Sequence, residues 1–194
     1  GQGASVMHGP YSPSINAECG MLVEGFEAAP MVFMPWHPPY LSRHVEALGL
    51  QKARDLISYR HDINEKDRSF EPVLLNRPEW KSRLRYRPLD LKNLDSEVDL
   101  MTELFNDAWA ANWGFVPITR AEFKSMADSL KFIMTPDYGF VVELDGEAVA
   151  FGIIVPNLHD IVADLNGRLG LTGLVKLIGR IRRKPYKSGR LALF

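Results

Sequence analysis

A single cysteine, Cys19, leaves the chain without any possible internal disulfide. Neither charge is in excess, since 23 Lys and Arg stand against 24 Asp and Glu, and this removes any global electrostatic case for nucleic acid. Apolar runs all fall well short of the roughly 20 residues that cross a bilayer, so no membrane partner is expected. The first residues lack the charged, apolar and small-residue order of a secretory signal, and cytoplasmic residence is the expectation. His8, His37, His44, His61 and His159 show none of the short spacings of a zinc site, so no metal is expected. Internal repeats and low-complexity segments are missing too. What is present is 46% hydrophobic residues in 194, enough for one generous domain or two small ones.

Along the first third, Ala4 to His8 is apolar enough for a short buried strand, which Gly9-Pro10 then breaks. Tyr11 to Ala29 reads as a polar loop region, and the prolines and aromatics of Pro30 to Tyr40 as ordered surface chain without regular structure. Leu41, Val45 and Leu48 are spaced for a helix that Gly49 caps, and a strand-like stretch runs on to Tyr59. Residues 61–80 carry dense charge and two prolines, the composition of a linker.

The rest of the chain is more strongly patterned. A strand is predicted over Arg83 to Leu89, and an amphipathic helix over Leu94 to Ala111, where Leu94, Val98, Met101, Leu104, Phe105 and Ala108 recur at three- and four-residue steps. Thr119 and Glu122 have capping-box spacing, with Phe123, Met126 and Leu130 as the apolar face of the helix that follows. Asp145-Gly146 is the turn of a hairpin running from Phe140 to Val155, whose second strand is so continuously apolar that it is expected to be central and covered on both faces. Two helical segments follow, at Ile161 to Leu165 and Leu171 to Ile181. The stripe Leu171, Leu174, Val175, Ile178 and Ile181 is expected to pack on the sheet, with a membrane surface as the alternative. Arg168, Lys176, Arg180, Arg182, Arg183, Lys184, Lys187 and Arg190 crowd this region, either as a solvated face near a helix C-terminus or as a contact for an anionic ligand or membrane. The chain closes on an apolar strand-like run, Leu191 to Phe194.

These residues resemble the Gcn5-related N-acetyltransferase (GNAT) superfamily over most of the chain. The helix-glycine-strand unit at Glu46-Ala47-Leu48-Gly49-Leu50 is similar to the family's closing motif, with Leu50 where Phe is usual. Gly9 to Gly20 is similar to the strand before it. The strand, paired helices and Asp145-Gly146 hairpin are similar to the family's opening motifs, and Asn106 to Phe115 to a bacterial subgroup of it. The closing half comes first and the opening half second. The resemblance therefore implies an α/β (α+β) fold, a mixed, mostly antiparallel twisted sheet flanked by helices, incomplete or composite. It also implies that residues 1–60 end one such domain, 61–80 link, and 81–194 begin a second, so that the chain is a fragment inactive alone.

By the same resemblance the chemistry is attack of an amine on the thioester of acetyl-CoA or another acyl-CoA, with a small-molecule amine or a peptide as acceptor. Asn16 and Glu18 stand where the family faces cofactor or acceptor, and Trp109, Asn112 and Trp113 where an acceptor wall lies. Simpler roles compete: an Asx turn for Asn16, a core face for Trp109, a helix cap for Asn112. Val45 occupies the position of the family's thiolate-protonating Tyr. Cys19, without a partnered His, reads as a buried small residue rather than a nucleophile. Two functions remain open, an N-acyltransferase or a non-catalytic binding domain on the same scaffold, with a homodimer covering sheet edges as a possible assembly.

Overall fold

Asp145 and Gly146 both lie at positive φ, 53° and 93°, which is the backbone a type I′ turn requires of its two central residues. The chain consequently folds straight back, pairing β4 (Gly139–Leu144) with β5 (Glu147–Pro156). β3 (Leu84–Pro88) lies antiparallel on the outer side of β4, and β6 (Gly189–Leu193) on the outer side of β5, giving the order β3-β4-β5-β6. A bidentate ion pair between Arg83 and Asp145 ties the turn to the foot of β3. Register shifts leave Val149 and Ala192 unopposed, and bulges of this kind bend a strand locally.

The computed structural model describes residues 3, 5–62, 78–183 and 185–193. It divides into two compact units, Gly1–Ser82 and Arg83–Phe194. In the second unit, α3 (Leu94–Trp109) buries Val98, Met101 and Phe105 against the sheet, meeting Val141, Phe151, Ile153 and Val155 in the core. α4 (Arg120–Leu130) packs on α3 and starts with the full capping box: the Glu122 N–H donates to Thr119 Oγ1 at 3.2 Å, and the Thr119 N–H to Glu122 Oε2 at 2.8 Å. α5 (His159–Val162) and α6 (Leu171–Arg183) are inserted between β5 and β6.

The first unit has less regular structure. β1 (Tyr11–Ser12) and β2 (Glu18–Cys19) make a two-stranded hairpin, α1 is Tyr40–Ala47, and α2 is Pro78–Lys81. Gly49, at φ 86°, ends α1 in a Schellman arrangement, its N–H donating to Glu46 and that of Leu50 to Val45. Among the described residues the architecture is thus mixed α+β, with antiparallel sheets of two and four strands.

Several sequence expectations are corrected. Of the strand expected at Ala4 to His8, Ala4 lies outside the described residues; residues 5–10 form no strand, and Val6 and Met7 are exposed. The expected loop after them holds the β1–β2 hairpin instead. Residues 50–60 are irregular, with Leu56, Ile57 and Tyr59 exposed, because the apolar run has no neighbouring strand to complete its ladder. β5 is central, but Val149 and Ile154 are exposed, so it is not covered on both faces. The α6 stripe does not pack on the sheet; Leu171, Leu174, Val175 and Ile178 are exposed. Of the expected linker, residues 63–77 lie outside the described residues.

Candidate functional site

The C-terminal end of α3 brings Trp109, Asn112 and Trp113 into a single turn. Phe105, buried, stacks on Trp109 at 5.7 Å between ring centroids and 23° between planes, and meets Phe115 at 6.1 Å. Backbone bonds from Asn112 to Trp109 and from Phe115 to Asn112 wind the chain tightly beyond the helix. Asn106 then pins the returning segment, its amide donating to the Ile118 carbonyl at 3.0 Å and its oxygen accepting from the Ile118 N–H at 2.9 Å. Trp109 is half-buried on the core side, whereas Asn112 and Trp113 are exposed. The result is an aromatic ledge with a buried root and an exposed rim, suited to gripping an apolar group while leaving an amide at its edge.

Asn16 and Glu18 belong to the first unit, at the β1–β2 hairpin. The turn there is made by Ser14, whose Oγ accepts from the Asn16 N–H at 3.2 Å, so serine supplies the side chain that an Asx turn would have taken from Asn16. Glu18 is exposed in β2. Cys19 beside it is half-buried rather than buried, and burial pushes its thiol above the usual range, which keeps it protonated and a poor nucleophile. The structure therefore gathers the predicted residues into two groups, Asn16 with Glu18 in one unit and Trp109, Asn112 and Trp113 in the other.

Two features of the second unit were not foreseen from sequence. Arg87 on β3 donates through Nη1 to Glu97 of α3 at 2.6 Å and through Nε to Glu143 of β4 at 2.9 Å, joining helix to sheet through one guanidinium. Burial works against its charge, but the bonds and charges of the two carboxylates outweigh this and hold its pKa above the ordinary value. The other is a concavity of about 430 Å³ at the α5–α6 connection, lined by His159, Val162, Leu165, Asn166, Arg168 and Leu169 among others. Asn166 and Gly167, at φ 47° and 70°, turn the backbone around it. The dipeptide was a legible turn signal; the hollow beside it was not.

Arg180 ties α6 to the α5 segment. It donates to the Ile161 carbonyl at 2.9 Å and to both carboxylate oxygens of Asp164, and its guanidinium holds that carboxyl below the usual range. Asp160 accepts from the backbone N–H groups of Lys187 and Ser188 at 2.8 and 3.1 Å, which anchors the approach to β6. Apolar side chains line this open hollow together with the imidazole of His159, the amide of Asn166 and the guanidinium of Arg168. Among the described residues no cluster of His, Cys, Asp or Glu is arranged to hold a metal ion, and no helix is long and apolar enough to cross a membrane.

No family model matches the sequence, and no solved structure matches it. The chain is 40% identical over 185 residues to Bacterial ceramide synthase of Caulobacter vibrioides (strain NA1000 / CB15N), an alignment that covers 95% of this chain and 48% of that protein. It is 35% identical over 193 residues to Protein YghO of Escherichia coli (strain K12), covering 99% of this chain and 49% of that protein. The chain thus spans about half the length of the curated relatives it matches.

Proposed function

We propose that this protein is a GNAT-type, acyl-CoA-dependent N-acyltransferase whose acceptor is the amine of a long-chain lipid. The observation that carries the reading is the 40% identity to a protein named Bacterial ceramide synthase across 95% of the chain. A ceramide is an amide between a fatty acyl group and the amine of a long-chain amino alcohol, so the bond to be made is a C–N bond at a thioester carbonyl. The order β3, α3, α4, β4, β5, with those three strands antiparallel in one sheet, agrees with the strand, paired helices and hairpin that the GNAT resemblance implies for the opening half of the fold, and α5 and α6 come before β6.

In the proposed reaction the neutral amine attacks the thioester carbonyl. The C–S bond breaks, CoA leaves as a thiolate, and the proton lost by the amine is returned to the sulfur. A backbone N–H stabilises the oxyanion, and no covalent enzyme intermediate is needed. Trp109, Trp113 and the concavity at His159 to Leu169 supply apolar surface for long chains, with Asn112 at the rim of the first and Asn166 and Arg168 at the margin of the second. Asn16 and Glu18 belong to the proposal as contacts of the first unit. The other reading, a non-catalytic binding domain, draws on Val45 standing where the family's thiolate acid is found.

Incubation with a long-chain acyl-CoA and a long-chain amino alcohol tests the proposal, with free thiol and N-acyl product followed together. One thiol is expected per amide. Thiol release without amide would mean hydrolysis only, and calorimetry showing no acyl-CoA binding tighter than about 100 μM, near −5.5 kcal/mol, would favour the binding domain.

A further inference from the structure

Helix α6 presents outward the residues its sequence pattern would send to a core. Leu171 is 86% and Val175 71% exposed, and Leu174, Ile178 and the preceding Leu169 are exposed with them. Three- and four-residue spacing aligns these side chains in one stripe along the 13-residue helix. The opposite side is already engaged, with Gly173 buried and Arg180 bound to Ile161 and Asp164.

Cations flank the stripe at its ends. Arg182 continues it at the C-terminal end and is followed by Arg183, both exposed, while Arg168 precedes the helix and Lys187 follows it, and among the described residues none of the four forms an ion pair. Lys176 is turned to the engaged side, where its charge acts on Asp164. The nearby acids are occupied: Asp164 by Arg180, and Asp160 by the backbone of Lys187 and Ser188. What remains is an apolar strip with unpaired positive charge at its ends. A helix of this length, roughly 20 Å at 1.5 Å per residue, is too short to cross a bilayer and suited to lying along one.

We propose that α6 docks on the surface of an anionic phospholipid bilayer. Leu171, Leu174, Val175 and Ile178 enter the boundary between headgroups and acyl chains, while Arg182 and Arg183 extend along the apolar surface to lipid phosphates. Charge complementarity selects this occupant, because an apolar protein surface would leave the cations at the ends without partners. Leu169 both borders the stripe and lines the α5–α6 concavity, so the docked bilayer lies next to that hollow. The inference goes beyond the proposed activity and stands without it.

Co-sedimentation of the purified chain with vesicles of phosphatidylcholine, alone or with added phosphatidylglycerol, is the test. Binding is expected to the anionic vesicles and to weaken as salt is raised. The pair Leu171→Asp and Val175→Asp is expected to abolish it, both side chains being exposed, with unchanged circular dichroism as the check on folding. Replacing Arg182 and Arg183 with alanine is expected to weaken partitioning roughly twenty-fivefold, about fivefold per cation. No binding, equal binding to neutral vesicles, or binding that survives the aspartate pair would overturn the proposal. So would a chain that self-associates and is made monomeric by that pair, since the stripe would then be an interface between copies.

Discussion

Arg87→Met removes the one guanidinium that holds two carboxylates at the junction of β3, β4 and α3. Glu97, only 5% exposed, would be left without its partner, and its Oε2 already has no hydrogen-bond partner among the described residues. Removing one member of a buried ion pair costs about 3–5 kcal/mol because the other charge stays desolvated. Here the Arg87 side chain is itself 34% exposed, so water screens the pair and the expected loss is reduced to about 2–3 kcal/mol. Methionine keeps the apolar stem, which confines the change to charge and hydrogen bonds. The double variant Arg87→Met with Glu97→Met removes the buried carboxylate as well and is expected to regain part of the loss, the remainder falling on Glu143, which still lacks Arg87 but is 24% exposed and can turn to water. Amide hydrogen exchange of β3 and β4 reads the opening free energy of this unit separately from the other. A loss below about 0.5 kcal/mol in the single variant, the range of an ordinary surface change, or a double variant no better than the single, would refute the reasoning.

Two further outcomes follow from the same sheet and its surroundings. At Gly139 an added Cβ would lie 2.4 Å from Leu89 Cδ1 and 2.8 Å from its Cγ, and Leu89 is buried with no free side to move to. Gly139→Ala is therefore expected to cost about 1–3 kcal/mol. At Gly152 the close atoms belong to the far end of the exposed Phe140 ring, which can swing aside, so Gly152→Ala should cost less than about 1 kcal/mol; urea unfolding that reversed this order would contradict the packing. Acid should weaken the second unit. Hydrogen bonds and neighbouring cations hold Asp90, Glu122, Asp128, Asp145 and Asp164 below the usual carboxylate range, chiefly through Asn93, Thr119, Lys124, Arg83 and Arg180 respectively. A folded pKa below the unfolded one contributes stability that is complete above the unfolded value, near pH 4, and is lost as pH falls through the folded value. The exchange-derived stability of this unit is expected to fall between about pH 5 and pH 2, and a flat profile there would count against the ion pairs.

Where a feature is decided by near neighbours in the chain, the sequence was readable. Asp145-Gly146 dictates its turn through backbone sterics, Thr119 and Glu122 satisfy each other's N–H groups, and Gly49 ends α1 by taking a left-handed conformation. Trp109, Asn112 and Trp113 come together for the same reason, lying within one turn of chain. Strands at Ala4 to His8 and Leu50 to Tyr59 were misread because an apolar run says nothing of the partner that must complete its ladder. Periodicity likewise showed that α6 is amphipathic but not what meets its apolar side. The α5–α6 hollow was not legible because no local pattern says how residues 159–169 curve around a common space.

Two apolar exposures in the second unit differ in what surrounds them, and that difference assigns them different partners. Tyr86, Phe140, Ile154 and Leu191 are exposed on the sheet, and the residues paired along that face, including Pro88, Val142, Ala150 and Gly152, bring no charge apart from Glu147, opposite Leu144 at the turn end. The α6 stripe carries cations at its ends. An apolar face of that kind is matched by another apolar surface, while a stripe flanked by cations is matched by an interface with phosphate on one side and hydrocarbon on the other. The proposed reaction joins a water-borne thioester to an amine that resides in lipid, so its catalyst has to work where those phases meet. With α6 on the bilayer, the concavity that shares Leu169 with the stripe sits at that boundary, and the lipid amine need not pass through water to reach it. Acyl transfer that proceeds equally well on the aspartate variants of α6, with the acceptor supplied in vesicles, would separate the two proposals and leave the chemistry standing without the docking.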